Sequence, residues 1–424
     1  MFSSLSGPQS LRLTLASLVQ TPPNAGVAAA KRQYGLYQKG NAAWDTIFGD
    51  IMPEAIEHIR YLLSPPVGAS VEFGHNSHEL ISRLISIKME KLFKVEEEHS
   101  VLRILTTDTE FYSFTRQMNR LLKIGSERIS IEFVAIEPLA SFPDRFAEKV
   151  AASPKLDIVY VSHCVFSTQQ TIIPDLPSFA EKVSKQLHSD GNGECFFIVD
   201  GYHGFGAIPT DLSGFDDVFY VSGMLKHVGS GANCCFLVVP ECKIGALNPV
   251  FTGWIADPSV LAAESKGIQM GSDVGYVPGF SLQGGTPAFA PSLIIFNEVM
   301  RRWKEKNITV DLAHGHVIGL HRQFLLGIEG IVGKEGAGCC WSKTAELVAE
   351  GCRSHTITFL VKSPAVAKCI VQLMDNFGVA VDSRKFYVRF GFGFNHNSED
   401  VVELLSACEK VATMIDAATE ANKQ

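Results

Sequence analysis

Six short runs, at 102–106, 129–135, 158–162, 196–200, 218–221 and 234–239, constrain this chain most, because they are mostly apolar with little alternation between apolar and polar residues. A strand with one wet face alternates; a strand covered on both faces does not. Helix-like stretches separate the runs, among them 78–93 and 176–187, the latter opened by Pro174 and Pro177. That succession predicts an α/β fold with a mostly parallel central sheet covered by helices on both sides. Beyond Pro291 a helix through Trp303 leads into a smaller α+β unit, with strands near 355–361 and 386–392. The expected division is an N-terminal segment 1–60 packing on the small domain, a large ligand-binding domain 61–300 and a small C-terminal domain 301–424. Between them, 250–291 is rich in Gly, Pro and Ser and reads as an ordered functional loop region or a crossing between domains.

Charge and cysteine usage exclude several classes of function. The net charge is −8, and no block of Lys and Arg offers the concentrated basic surface that nucleic acid requires. The cysteine pairs Cys234-Cys235 and Cys339-Cys340 are adjacent, not spaced as zinc ligands are, so no metal site is expected. Cys195 lies inside an apolar run, where a reduced thiol behaves as a small core hydrophobe, which implies a reducing, cytoplasmic compartment. No apolar run approaches the roughly 20 residues of a membrane span, so a soluble protein is expected. The first acidic residue is Asp45, a bias that resembles a transit peptide, but arginine is scarce there. A mature cytosolic N-terminal helix is therefore preferred over mitochondrial import.

Three consecutive strand ends carry the candidate chemistry: Val161-Ser162-His163, Val199-Asp200-Gly201-Tyr202-His203, and Tyr220-Val221-Ser222-Gly223-Met224-Leu225-Lys226. In an open parallel sheet, ligands bind outside the carboxyl ends of the strands, so these groups converge on one crevice. A lysine, an acid and a set of phosphate donors are what pyridoxal 5'-phosphate (PLP) chemistry needs. On that reading Lys226 carries the cofactor aldehyde and moves protons. Asp200 keeps the pyridine nitrogen protonated, and His203 hydrogen-bonds the phenolic oxygen. The plainer alternative is a turn-starting aspartate and a surface lysine; the set of three outweighs it. Upstream, Asn76 or Ser77 caps a helix whose N-terminus could receive the phosphate. Phe111, after another strand, reads equally as a wall stacked on the cofactor ring or as core.

From about Trp44 onward these residues resemble the class V group of the PLP-dependent transferase fold (fold type I), and within it the kynureninase-like branch. The resemblance is carried by Val199-Asp200-Gly201-Tyr202-His203-Gly204, by Lys226 running into Gly229-Ser230-Gly231, and by Gly378-Val379-Ala380-Val381-Asp382-Ser383-Arg384 with Val388-Arg389-Phe390-Gly391-Phe392. It implies that Arg389 grips the α-carboxylate of an amino-acid substrate, as a guanidinium fork can. It implies also a homodimer in which Gly253-Trp254 and Gly284-Gly285-Thr286-Pro287 reach the neighbour's cofactor phosphate, with Trp254 and Thr286 as contacts. Leu225 stands where many such chains have tyrosine, so one phosphate contact is missing or is supplied by Ser222.

The activity this resemblance implies is hydrolysis of L-kynurenine or 3-hydroxykynurenine to alanine and an anthranilate. A C–S lyase or cysteine desulfurase, an epimerase and an aminotransferase are the alternatives on the same scaffold, and a non-catalytic dimeric scaffold is the alternative outside it. A desulfurase needs a nucleophilic cysteine shortly before the carboxylate-binding arginine, and 377–394 contains none. A lyase needs no such thiol. Retention of Asp200 and Lys226 argues against a mere scaffold, since a buried acid and lysine are costly unless paired or used.

Overall fold

A computed structural model describes residues 21–94, 100–125, 127–189, 191, 193–264, 274–285, 287, 290–332 and 354–421. Seven strands form the large sheet: β1 (Ser70–Gly74), β2 (Leu102–Thr107), β3 (Ile129–Val134), β4 (Ile158–Ser162), β5 (Phe196–Asp200), β6 (Val218–Gly223) and β7 (Cys235–Val239). Their order is β1-β7-β6-β5-β4-β2-β3. Strands β6 through β3 pair in parallel, whereas β7 runs against both of its neighbours. The carboxyl ends of β1, β2, β4, β5 and β6 therefore share one edge of the sheet.

The inner strands β4 to β7 are buried along their whole length, as non-alternating runs require. β3 departs from that expectation. It is the last strand in the order, with a neighbour on one side only, and Phe133 on it is exposed. The opposite edge strand, β1, was not among the six runs because Glu72 interrupts it. That carboxylate is fully buried and accepts from the backbone N–H of Gly279 (2.7 Å) and Leu282 (3.3 Å). An acidic residue thus anchors part of the 250–291 loop region to the sheet.

The smaller unit holds β8 (Thr356–Leu360), β9 (Asp382–Arg384) and β10 (Tyr387–Gly391), antiparallel in the order β8-β10-β9. Helices Pro364–Asn376, Val310–Val332 and Ser398–Ala421 cover it, and Val317, Phe324, Phe359, Phe390 and Leu404 share its core. The two cores meet along Val310–Val332, whose Val310 and Ala313 belong to the large core while Val317 onward belongs to the small one. The boundary expected at 300 falls inside the helix Ala290–Glu305, and core membership changes between Ala313 and Val317.

The expected placement of 1–60 needs correction for its described part. Helices Pro23–Tyr37 and Met52–Leu63 pack on Ala290–Glu305, and Ala25, Ala29, Ile51 and Ile59 are buried in the large-domain core. Small alanines let one helix lie close against another, so the contact forms on the large domain. The transit-peptide-like stretch before residue 21 and the Cys339-Cys340 pair lie outside the described residues. Among the described residues, no helix is long and apolar enough to cross a membrane.

Candidate active site

Parallel pairing puts Ser162 opposite Asp200, and Asp200 opposite Val221, so the ends of β4, β5 and β6 lie side by side. Asp200 is buried. Its Oδ2 accepts from the Tyr160 hydroxyl at 2.5 Å and its Oδ1 from the Tyr202 backbone N–H at 2.8 Å. Phe114 stacks on Tyr160 with ring centroids 3.9 Å apart, which holds the phenol in place. Burial raises the Asp200 pKa above the ordinary carboxylate value, against the opposing pull of Tyr160, the Tyr202 N–H and Lys226. The residue after it can only be glycine: a Cβ on Gly201 would stand 2.0 Å from the ring of Tyr220.

Asp200 shares one cleft with Ser77, His78, Phe111, Phe114 and Tyr160. The structure therefore brings together three of the expected site residues, from β1's following helix, from the loop after β2 and from β5. Asn76 caps the helix Ser77–Met89, its side-chain oxygen accepting from the Glu79 N–H at 2.8 Å. Ser77 is its first residue, so the helix N-terminus opens toward the cleft. Phe111 is a wall rather than core: 40% of it is exposed, and its ring meets Phe166 edge-on at 4.8 Å.

Lys226 lies three residues past the end of β6, with its ammonium 5.7 Å from the ring of Tyr202. Burial, then the charges of Arg389 and Arg384, lower its pKa to about 8, with Asp382 and Asp200 opposing. His203 is buried and held neutral, first by burial and then by Lys226. Its Nδ1 has no hydrogen-bond partner among the described residues. Arg389, on β10, is 2% exposed; its Nη1 donates to the Phe166 carbonyl at 2.9 Å and its Nη2 to Asp382. Phe166 lies beneath both Arg389 (5.6 Å) and Arg384 (5.7 Å), and 6.1 Å from His203.

Two expected contacts stand apart from this cleft. Ser222 is fully buried in β6, and its hydroxyl donates to the Gly201 carbonyl at 3.3 Å, which turns it inward rather than to an anion. Trp254 is half-exposed and meets Trp44 edge-on at 6.5 Å, away from the cleft of its own chain. Thr286 lies outside the described residues.

Four residues that sequence reading did not assign complete the site: Tyr160, Phe166, Asp382 and Glu110. Tyr160 is hidden in an apolar run, and Phe166 has no local pattern to mark it. Glu110 is buried, accepting from the Thr107 hydroxyl (2.6 Å), the Ser162 N–H (3.2 Å) and the Ser162 hydroxyl. Burial pushes its pKa up to about 7, against those hydrogen bonds. The only available signal was its place in the 107–113 segment after β2. Together the site could hold a flat heteroaromatic group with an anionic tail: Phe111 as a face, Asp200 for a ring nitrogen, His203 Nδ1 for a polar substituent and the Ser77 helix for the anion.

No family model matches the chain, and no curated protein matches it in sequence. Solved structures do match in fold. The architecture is the PLP-dependent transferase fold, fold type I, as the resemblance in sequence implies. A complex of the cystine C–S lyase C-DES with its reaction product cysteine persulfide has a TM-score of 0.70 at 16% identity, over 92% of this chain and 94% of that one. The apo cysteine desulfurase of Thermococcus onnurineus NA1 has 0.68 at 15%, covering 93% and 92%. The cysteine desulfurase CsdA of Escherichia coli has 0.70 at 15%, covering 95% of each chain.

Proposed function

We propose that the chain is a PLP-dependent enzyme that breaks a bond at the β-carbon of an α-amino acid, by C–S lyase chemistry in the first reading. One observation carries it: Lys226, with an amine brought down to about 8, lies in the field of both Asp200 and the buried cation Arg389. Bound there, PLP supplies an electron sink for bond breaking next to Cα. Asp200 holds a proton on the cofactor's ring nitrogen. His203, neutral, would meet the phenolic oxygen through Nδ1, and the N-terminus of the Ser77 helix would receive the phosphate. Arg389 holds the substrate carboxylate, and Lys226 Nζ takes the Cα proton, since a depressed amine is substantially neutral near pH 8.

The structural neighbours named C–S lyase and desulfurase support this class of reaction, and among the described residues the thiol beside Asp200 supports a lyase over persulfide transfer. Cys164 feels the charge of Asp200, but it is buried, and burial pushes its pKa up to about 12, so it offers no thiolate. A second reading, hydrolysis of L-kynurenine or 3-hydroxykynurenine, is favoured by the rings of Phe111, Tyr112 and Phe166 beside Arg389. The proposal includes a cytoplasmic homodimer, with Trp254 and Thr286 as contacts to the partner's cofactor phosphate.

The test is an absorbance spectrum of the protein after PLP addition, compared with Lys226→Ala. A visible band in the first and not the second supports the cofactor. Pyruvate and persulfide from cystine support the lyase; alanine and anthranilate from kynurenine support the hydrolase. No band in either protein overturns the enzyme reading.

A further inference from the structure

Arg389 is buried, yet its binding edge is only half used. Nε and Nη2 together form the side-on fork on which a carboxylate docks in two-pronged fashion. Asp382 takes Nη2, while Nε is buried with no partner among the described residues. The arrangement is written into the backbone, because Asp382 and Arg389 are register partners on adjacent antiparallel strands. Asp382 has a second tether: its Oδ1 accepts from Arg384 Nη1 at 2.7 Å. Two guanidinium groups and one carboxylate leave a surplus of one positive charge over Phe166, which one carboxylate ligand would balance.

We propose that Asp382 is a specificity-determining residue, an internal stand-in for the substrate carboxylate that holds Arg389 while the site is empty and is retained by Arg384 when a monocarboxylate docks. The inference rests on the reading of Arg389 as the carboxylate clamp. A two-pronged ligand satisfies the orphaned Nε and competes with Asp382 for Nη2. Arg384 lowers the cost of that exchange, because the displaced carboxylate keeps a cation beside it. Asp382 and Arg384 therefore act on ligand affinity in opposite directions, which a merely structural ion pair does not.

The probe is 3-phenylpropionate, which has the carboxylate but no amino group and so reports docking without reaction. Its Kd is measured by calorimetry on the PLP-reconstituted wild type, Asp382→Asn, Arg384→Gln and Arg389→Gln, with melting curves to verify folding. Asp382→Asn is expected to tighten binding roughly tenfold and Arg384→Gln to weaken it roughly tenfold, the scale of one charge-assisted hydrogen bond. An Asp382→Asn protein that binds no better than wild type overturns the inference, as does a wild type that binds no 3-phenylpropionate. Should Asp382→Asn fail to fold, Arg384→Gln decides alone: unchanged or tighter binding overturns it. Binding that survives Arg389→Gln sinks the clamp itself, whereas binding lost there but indifferent to Asp382→Asn sinks only the stand-in role.

Discussion

Tyr160 and Asp200 face each other from adjacent parallel strands and share a 2.5 Å hydrogen bond, with the phenol donating. Asp200 ends β5 at the carboxyl edge of the sheet, Tyr160 lies two residues before the end of β4, and both are buried. The bond matters because burial works against the charge on Asp200, and Tyr160 is the first of the groups that offset it.

Replacing Tyr160 with Phe keeps the ring stacked on Phe114 and removes only the hydroxyl. Asp200 then loses a donor, its pKa rises further, and its hold on a protonated ring nitrogen weakens. PLP affinity is expected to fall about ten- to a hundredfold, from loss of a charge-assisted hydrogen bond of about 1.5 to 3 kcal/mol. Titration of apoprotein with PLP, followed by tryptophan quenching, reads this directly. An unchanged Kd would show that Tyr160 serves packing alone.

The depressed pKa of Lys226 has a consequence independent of any cofactor. In apoprotein, labelling of Lys226 by acetic anhydride at a series of pH values should reach half its plateau near pH 8, where ordinary lysines are still almost fully protonated. Arg384→Gln removes a positive neighbour and should move that midpoint upward. Mass spectrometry of the Lys226 peptide gives both curves, and a midpoint near 10 in the wild type would refute the account.

Glu110 accepts from three donors, the Thr107 hydroxyl at the end of β2 and the Ser162 N–H and hydroxyl at the end of β4, and so ties the loop before Phe111 to both strands. Glu110→Ala strands those donors in the interior and should cost on the order of 3 kcal/mol. Glu110→Gln keeps the shape, and Ser162 can reverse its hydroxyl to accept from the amide, so the loss should be small near pH 5. With a folded pKa of about 7 against 4.5 unfolded, Glu110 stabilises most below pH 4.5 and loses that contribution as pH rises to 7. The Gln variant should therefore gain on wild type over that window in pH-dependent chemical denaturation; parallel curves would count against a protonated Glu110.

Buried histidines act in the opposite sense. Burial lowers His163 and His396 to about 4 and His227 to about 3, against 6.5 unfolded. Their contribution is complete above pH 6.5 and is lost as pH falls toward 3 to 4. Glu72 and Glu110 oppose this between pH 4.5 and 6.5. The melting temperature should accordingly drop most steeply below pH 4.5, and His227→Gln should make that drop shallower. A His227→Gln protein with the wild-type slope would contradict this.

The amino-acid sequence by itself specified the parallel strands of the large sheet, since burial on both faces suppresses alternation and leaves a local mark at 158–162, 196–200 and 218–221. It also specified that Asp200, His203, Lys226 and Arg389 stand at strand ends or in strands of the right kind, because a polar group ending an apolar run is visible in the chain. Only tertiary structure decided which of these groups touch. β1 escaped notice because the hydrogen-bonding needs of its buried Glu72 are met by backbone donors from Gly279 and Leu282, more than two hundred residues away. Tyr160, Glu110 and Phe166 enter the site through neighbours on other strands and loops, and Ser222 leaves it because its hydroxyl turns toward Gly201. The registry of β9 against β10, which sets Asp382 on Arg389, depends on a turn and a pairing that no single residue encodes. Strand identity is written in local burial, whereas partnership is set by which strands the fold lays side by side.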